Sequence, residues 1–185
     1  PVEDALVHTK YGDVLPSNKA LAGAGIELIG MERREFLLRD ALDKVKDRYD
    51  FLFIDCPPSL ELLTLNALCA ADAILVPVQG EYYALEGLSD LMNTVRIVRR
   101  SLNPRLELDG VLLTMFDGRT NLALQVAEEV KHYFPGKVYA TVIPRNVRLS
   151  EAPSHGKPIT AYDRTSRGAE AYTAFAAEFL KKQSA

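Results

Sequence analysis

The sequence lacks the features that define several specialised classes of protein. No apolar run reaches the length of about 18 residues that a membrane-spanning helix needs. The first residues, PVEDALVHTK, have neither the basic start nor the apolar stretch of a signal peptide. Only 2 cysteines occur, Cys56 and Cys69, in no metal-ligand or disulfide pattern. We therefore expect a cytoplasmic protein whose two thiols are reduced and packed as small hydrophobic side chains.

The sequence also lacks an excess of positive charge. It has 22 Lys and Arg against 25 Asp and Glu, which gives a formal net charge of −3. This balance argues against a uniformly basic nucleic-acid-binding protein, although it leaves room for a local basic patch. The overall composition is typical of a globular protein with one sizeable core, since 48% of the 185 residues are hydrophobic and 25% are charged.

Strand-like and helix-like segments alternate along the chain. Short apolar runs typical of buried strands lie at 51–55, 73–78, 110–116 and 137–144. Apolar residues recur at helical spacing in the segments between and around them, namely 33–48, 59–71, 88–102, 122–134 and the last segment, which contains Tyr172, Phe175 and Phe179. The alternation predicts one α/β domain over residues 1–185, with a mainly parallel sheet covered by helices on both faces. Ligands bind such sheets at the carboxyl ends of the strands, where Asp55, Asp117 and residues 144–148 lie.

Asp55 closes the apolar run FLFID. An acid at the end of a buried strand is the Walker B arrangement, in which a rigidly held carboxylate orients a magnesium ion or its waters beside nucleotide phosphates. The same carboxylate is equally suited to cap the helix that begins near Ser59. The pattern by itself leaves both interpretations open.

A Walker B acid works with a phosphate-binding loop, and residues 1–185 contain no G-x-x-x-x-G-K-[ST] motif. LAGAGIELIG has glycines but no Lys-Ser or Lys-Thr after them. HGKP has Gly156 and Lys157, but Pro158 follows and Glu151 stands where the first glycine is needed. The sequence thus combines a nucleotide-type acid with no recognisable phosphate loop.

Four long stretches resemble the ParA/Soj chromosome- and plasmid-partitioning ATPases: YDFLFIDCPPSLELLTLNAL, VPVQGEYYALEGLSDLMNTVR, GVLLTMFDGRTNLALQVAEEVK and KVYATVIPRNVRLSEAPSHGKPITAYDRTSRGAEAY. The resemblance is nearly continuous from Tyr49 to Tyr172 and weaker over residues 1–48. Members of this family are P-loop NTPases with a deviant Walker A loop, K-G-G-x-G-K-T, on the first strand and helix. The resemblance implies that this chain is the carboxyl-terminal part of such a domain, without the first strand, the phosphate loop and the first helix.

The resemblance implies nucleotide-related roles for two segments. Asp55 matches the Walker B acid, which holds magnesium through water, and residues 56–59 match the second switch, which responds to the γ-phosphate of ATP. Within that switch we assign Pro57 and Pro58 to the cofactor site, because prolines suit a segment that moves as a unit. Three further residues match a loop that packs near the adenine, although the pattern alone is consistent with a simple strand exit: Pro144, Arg145 and Asn146.

Arg119 and Arg148 match family positions that contact double-stranded DNA without reading its sequence. Such binding needs guanidinium groups that reach phosphates, and it weakens as salt rises. Segment 144–167, which contains Arg148, has a local net charge of +3 even after Glu151 and Asp163 are counted. The alternative is that these basic side chains are merely solvated surface residues.

The resemblance implies a complete functional cycle for the whole protein. An ATP-dependent homodimer binds the nucleoid DNA non-specifically, and a ParB-type centromere-binding protein stimulates ATP hydrolysis and release. ATP and Mg²⁺ are the implied cofactors. Because the phosphate loop is not among these residues, we expect the isolated chain to have no meaningful ATPase activity.

Two other functions stay open at this point. One is a MinD-type, membrane-associated regulator of cell division, which needs a terminal amphipathic helix with a basic face. The final segment, EAYTAFAAEFLKKQSA, has an apolar face but only Lys181 and Lys182 as basic residues. The other interpretation is that this segment is a helix packed on the sheet, in which case we expect no membrane partner. The second open function is a nucleotide-free remnant that acts only as a binding module.

Overall fold

The structure, a computed structural model, describes residues 1–57, 59, 61–81 and 83–184. Two compact units make up the chain. Unit 1 contains Pro1–Ile74 and Leu91–Glu107, and unit 2 contains Leu75–Asp90 and Leu108–Ala185. The single domain expected from the sequence stays a prediction.

Unit 1 begins with short elements and continues into one longer helix. Two short strands form an antiparallel hairpin in which Val7 lies opposite Val14 and Thr9 opposite Gly12. Single turns of 3-10 helix follow α2, precede α3 and lie after it, at residues 28–30, 34–36 and 46–48. The labelled elements are α1 (Val2–Ala5), β1 (Val7–Thr9), β2 (Gly12–Val14), α2 (Leu21–Glu27), α3 (Leu37–Leu42) and α4 (Leu62–Ala70). The helix predicted over residues 33–48 is therefore only partly confirmed.

The core of unit 1 joins α4 to the second half of α5 (Tyr83–Ser101). Its buried members are Leu68, Cys69, Val95, Val98 and Leu106. The side chain of Asn103 is also buried, and its Nδ2 donates to the carbonyl oxygens of Leu68 and Ala71 at 3.0 and 2.8 Å. Because the last carbonyls of a helix lack partners within that helix, Asn103 closes the carboxyl end of α4.

The strand predicted at residues 51–55 is wrong. None of the strands in the described part of the chain includes residues 51–57, and the side chains of Phe51 and Phe53 are 42% and 71% exposed. An apolar run becomes a strand only where a neighbouring strand completes a ladder of hydrogen bonds. The sheets of the described residues, β1–β2 and the pair formed by β3 (Ala73–Gln79) and β4 (Glu107–Thr114), do not extend to this run.

The two cysteines differ in environment, and only one matches the prediction. Both are free thiols; Cys69 is buried in the core of unit 1, whereas Cys56 is exposed. The packing predicted for Cys56 is wrong because this residue follows the run at 51–55, which no sheet covers.

Unit 2 is built on β3 and β4, which are hydrogen-bonded neighbours. Residues 138–144 run parallel to β4 through two isolated bridges, Val111 with Val138 and Phe116 with Pro144. The strand predicted at 137–144 is therefore confirmed only in part. The helices of this unit, besides the start of α5 and one 3-10 segment at Ala152–His155, are α6 (Asn121–Tyr133), α7 (Val147–Glu151), α8 (Ile159–Tyr162) and α9 (Arg167–Gln183).

The core of unit 2 is covered by α9. Leu112, Tyr139 and Ile143 are buried there, and Phe175 and Phe179 of α9 pack against them. The interpretation of the last segment as a helix packed on the sheet is thus confirmed. Among the described residues, no helix has both the length and the apolar character needed to cross a bilayer.

Candidate functional site

Two loops of unit 2 meet at the carboxyl end of β4. The backbone N–H of Phe116 donates to the carbonyl of Ile143 at 3.1 Å, and the N–H of Arg145 donates back to the carbonyl of Phe116 at 3.3 Å. These bonds hold segment 116–120 beside segment 143–151. We call these two segments together the arginine edge, because they contain both arginines that the sequence analysis assigned to DNA.

The backbone changes direction sharply where β4 leads into this edge. Met115 has a φ of +48°, in the left-handed region that non-glycine residues rarely adopt. Such a conformation costs about 1–3 kcal/mol and persists only where the surrounding structure holds it. Here the hydrogen bonds from Phe116 to the neighbouring segment hold the chain just after Met115.

Arg119 is paired with Asp117 within its own loop. Its Nε and Nη2 donate to Oδ1 and Oδ2 of Asp117 at 2.8 and 2.6 Å, and its backbone N–H donates to Oδ1 at 3.1 Å. The side-chain hydrogen bonds, followed by the backbone one, lower the pKa of Asp117 from 3.8 to about 2. The hydroxyl of Thr120 caps α6 by accepting from the N–H of Ala123 at 3.3 Å. The loop therefore presents Arg119, whose side chain is 90% exposed, in a defined orientation.

Arg148 is paired with two carboxylates from different segments. Its Nη1 donates to Oε2 of Glu151 at 2.8 Å, and its Nε lies 3.4 Å from Oδ2 of Asp163. The hydroxyl of Tyr162 donates to the same Oε2 of Glu151 at 3.1 Å. The pKa of Glu151 is lowered, first by the hydrogen bond from Arg148 and then by that from Tyr162. The ring of His155 stacks on Tyr162, with 4.8 Å between the centroids.

The residues assigned to the adenine loop lie on the arginine edge. Pro144 bridges to Phe116, and Arg145 is exposed. The side chain of Asn146 caps α7 by accepting from the backbone N–H of Arg148 at 2.9 Å, which positions the start of that helix. Contact of these three residues with a nucleotide stays a prediction.

Asp55 lies in unit 1, and its carboxylate is exposed. The buried strand that was expected to hold it rigidly is absent, so that part of the Walker B interpretation is corrected. The helix-capping alternative is not found either, since the N-cap of α4 is Glu61. Pro57 is exposed beside Asp55, and Pro58 lies outside the described residues.

Asp55 belongs to no cluster of metal ligands in the described part of the chain. Among the described residues, no group of three or more His, Cys, Asp or Glu side chains could hold a metal ion. Magnesium bound with nucleotides takes one or two carboxylates and completes its shell with phosphate oxygens and water. A single exposed carboxylate fits that mode of binding, which is the water-mediated role implied by the resemblance.

The sequence analysis missed the roles of the acidic partners on this edge. It treated Glu151 and Asp163 only as charges to be counted, and it gave no function to Asp117. The spacing of Arg148 and Glu151, three residues apart on one helix, could have revealed their pairing. Asp163 comes from the segment after α8, and its approach to Arg148 depends on tertiary packing that no local spacing reveals.

Comparison with known proteins places the chain in a class. Residues 1–108 match the family model of the AAA domain. The sporulation initiation inhibitor protein Soj of Bacillus subtilis is 64% identical over 90% of this chain and 66% of its own length. The chromosome partitioning protein ParA of Myxococcus xanthus is 53% identical over 98% of this chain and 65% of its own length.

A solved structure gives the fold. Cobyrinic acid a,c-diamide synthase from Mycobacterium smegmatis, with bound ADP and magnesium, superposes with a TM-score of 0.84 at 37% identity, over 100% of this chain and 68% of that one. The fold is the α/β fold of the P-loop NTPases, as predicted. The chain belongs to the ParA/Soj family of partitioning proteins. It spans slightly less than two thirds of the length of the two curated relatives, 66% and 65%.

Proposed function

We propose that the protein is a chromosome- or plasmid-partitioning ATPase and that this chain contributes its DNA-contacting edge and part of its nucleotide site. The observation that carries the proposal is the arginine edge. Two exposed guanidinium groups, on Arg119 and on Arg148 of α7, project from segments that are joined by backbone hydrogen bonds at the carboxyl end of β4. The two curated relatives described above are both partitioning or sporulation-control proteins of the same family.

DNA binding in this proposal is electrostatic. Guanidinium groups donate to phosphate oxygens, which positions a protein on the duplex without reading the bases. A protein of net charge −3 binds DNA only through a local concentration of basic groups. Two copies in a homodimer double the number of arginines that face the same duplex.

The nucleotide site takes ATP and Mg²⁺, and this chain supplies only part of it. Asp55 orients the magnesium ion through water, Pro57 and Pro58 belong to the switch, and Pro144, Arg145 and Asn146 lie near the adenine. When bound, the nucleotide and its metal supply the phosphoryl chemistry. The phosphate loop in this proposal is supplied by a segment outside residues 1–185. The ADP and magnesium bound to the mycobacterial neighbour support a nucleotide site in this fold.

The proposed cycle couples nucleotide state to DNA affinity. The ATP-bound homodimer binds the nucleoid, and a ParB-type centromere-binding protein stimulates hydrolysis and release. A MinD-type membrane role is less consistent with α9, because its apolar side chains Phe175 and Phe179 already pack in the core of unit 2.

Two proteins test the nucleotide part of the proposal. One is this chain, and the other is a fusion in which a segment that carries the family-type deviant Walker A loop precedes residue 1. We expect a fluorescent ATP analogue with magnesium to bind the fusion and not the chain alone. Equal binding to both would contradict the proposal, because phosphate recognition would then lie within residues 1–185.

DNA binding by the fusion, with ATP and magnesium, tests the arginine edge. We expect Arg119→Ala and Arg148→Ala each to weaken binding to a duplex of random sequence. Each should also reduce the slope of log affinity against log salt by about one. Arg48→Ala, which removes an exposed arginine of unit 1, is the matched control. Unchanged affinity and slope in both test variants would show that this edge does not bind DNA.

A further inference from the structure

The two arginines of the arginine edge are held in different ways. Asp117 lies two residues before Arg119 and takes one side of its guanidinium group, through Nε and Nη2. A guanidinium group has five N–H donors, so the Nη1 side of Arg119 can still donate to a phosphate. Because both partners belong to one loop, this pair can stay intact when Arg119 binds.

Arg148 is held at two nitrogens by two separate segments. Nη1 meets Glu151 at the end of α7, and Nε meets Asp163 after α8. The side chain of Arg148 is 55% exposed, compared with 90% for Arg119. The two faces through which a guanidinium group binds phosphate bidentately, Nε with Nη2 and Nη1 with Nη2, each include a nitrogen that already meets a carboxylate. A phosphate that binds Arg148 in this way therefore competes with Glu151 or Asp163.

A third residue strengthens the hold on Arg148. The hydroxyl of Tyr162 donates to Oε2 of Glu151, the same oxygen that accepts from Arg148. This fixes the carboxylate of Glu151 in the position that a phosphate oxygen would need. A glutamate side chain is ionised at neutral pH, so Glu151 also repels a phosphate.

We propose that Glu151 and Asp163, with Tyr162 holding Glu151, form a carboxylate clamp on Arg148 that competes with DNA phosphate and lowers the DNA affinity of the protein. The proposal rests on the proposed function, in which Arg148 contacts DNA. In the free protein the clamp is closed, and binding to DNA opens it by displacing Glu151.

The effect of opening the clamp is modest, because its members are partly exposed. Glu151 and Asp163 are 39% and 29% exposed at their side chains, so solvent screens the pairs. Exposed ion pairs of this kind correspond to roughly a two- to fivefold change in an equilibrium constant. We expect Glu151→Gln to tighten DNA binding by about that factor.

The test measures binding of the fusion protein, with ATP and magnesium, to a fluorescent duplex of random sequence. Glu151→Gln keeps an oxygen that accepts from Tyr162 but removes the charge. Glu170→Gln, at an exposed position of α9, removes the same charge outside the clamp and is the matched control. We expect the tightening by Glu151→Gln to exceed that of the control. In the Arg148→Ala background, we expect it to fall to the control level.

A second variant tests the clamp at constant charge. Tyr162→Phe removes only the hydroxyl that holds Glu151, and we expect it to tighten DNA binding, by less than Glu151→Gln does. Circular dichroism and thermal melting check that each variant is folded. A general effect of negative charge on DNA would leave the affinity of Tyr162→Phe unchanged.

The outcomes separate the inference from the proposed function. If the fusion does not bind DNA, or if Arg119→Ala and Arg148→Ala both leave binding unchanged, the proposed DNA edge is wrong and the clamp falls with it. If Arg148→Ala weakens DNA binding but Glu151→Gln and Tyr162→Phe tighten it no more than the control Glu170→Gln does, only the clamp proposal is wrong.

Discussion

The hydroxyl of Tyr139 donates a hydrogen bond of 2.5 Å to Oδ2 of Asp109, whose side chain is only 9% exposed. The end of α9 also contacts these two residues, and Nζ of Lys182 lies 3.4 Å from Oδ1 of Asp109 and bonds to the Asp109 backbone carbonyl. Nε2 of Gln183 donates to Oδ1 of Asp109 at 2.8 Å, and Nζ of Lys182 lies 4.7 Å from the centre of the Tyr139 ring. This group of side chains anchors the last helix of unit 2 to the start of β4.

We expect Tyr139→Phe to destabilise unit 2. The ring would stay packed, but Asp109 would lose a donor at a site with little access to water. A lost hydrogen bond to a charged group costs about 1–3 kcal/mol. Urea denaturation measures the free energy of unfolding, and Tyr133→Phe, at a residue that is 66% exposed, is the control. Equal stability of the two variants would show that the Asp109 contact contributes nothing.

The pairing of Asp117 with Arg119 predicts a specific pH dependence. The pKa of Asp117 is lowered from 3.8 to about 2, so the pair stabilises the folded loop above pH 3.8 and loses that effect as the pH falls toward 2. Carboxyl-carbon NMR should give a titration midpoint near the lower value. In Arg119→Ala the midpoint should rise toward 3.8, whereas Lys131→Ala should leave it unchanged. A low midpoint that survives Arg119→Ala would contradict this assignment.

Gly110 lies against Tyr139, and this contact predicts the effect of a single methyl group. A Cβ at Gly110 would lie 2.5 Å from Cε2 of Tyr139 and 2.9 Å from the carbonyl oxygen of Lys137. Such overpacking costs about 1–3 kcal/mol, so we expect Gly110→Ala to lower the thermal stability. Gly87→Ala is the control, because nothing lies within 4 Å of a Cβ at that exposed position of α5. We expect the control to be neutral or slightly stabilising, since alanine favours a helix.

Asn103 closes the carboxyl end of α4, and we expect Asn103→Ala to destabilise unit 1. The substitution removes the buried donor to the carbonyls of Leu68 and Ala71 and leaves them without that partner. The expected cost is about 1–3 kcal/mol in the free energy of unfolding, measured by urea denaturation. Asn93→Ala, which removes an exposed amide that accepts from Arg96, should cost much less. The reverse order of these two effects would refute the capping role.

Part of the fold could be predicted because the relevant pattern is local. The strands predicted at 73–78 and 110–116 correspond to β3 (Ala73–Gln79) and β4 (Glu107–Thr114), which pair with each other, and α6 and α9 follow from their helical spacing. The run at 51–55 is also mainly apolar, but strand formation depends on a neighbouring strand that the apolar pattern does not reveal. The segment at 137–144 does have β4 as a neighbour, and it makes two isolated bridges to the chain there.

The candidate site could likewise be predicted only in part. The resemblance gave the positions of Arg119 and Arg148, and both arginines lie on one edge of unit 2. Their acidic partners were harder to predict. Asp117 and Glu151 are near their arginines in sequence, but Asp163 meets Arg148 only through the packing of the segment after α8.

The hydrogen bonds of Phe116 have a mechanical consequence. Because its N–H and carbonyl bond to Ile143 and Arg145, the two segments of the arginine edge are hydrogen-bonded to each other through their backbones. A displacement of either segment must break these hydrogen bonds or move the other segment with it. A change in the position of either segment is therefore passed to the backbone of Phe116, two residues beyond the end of β4.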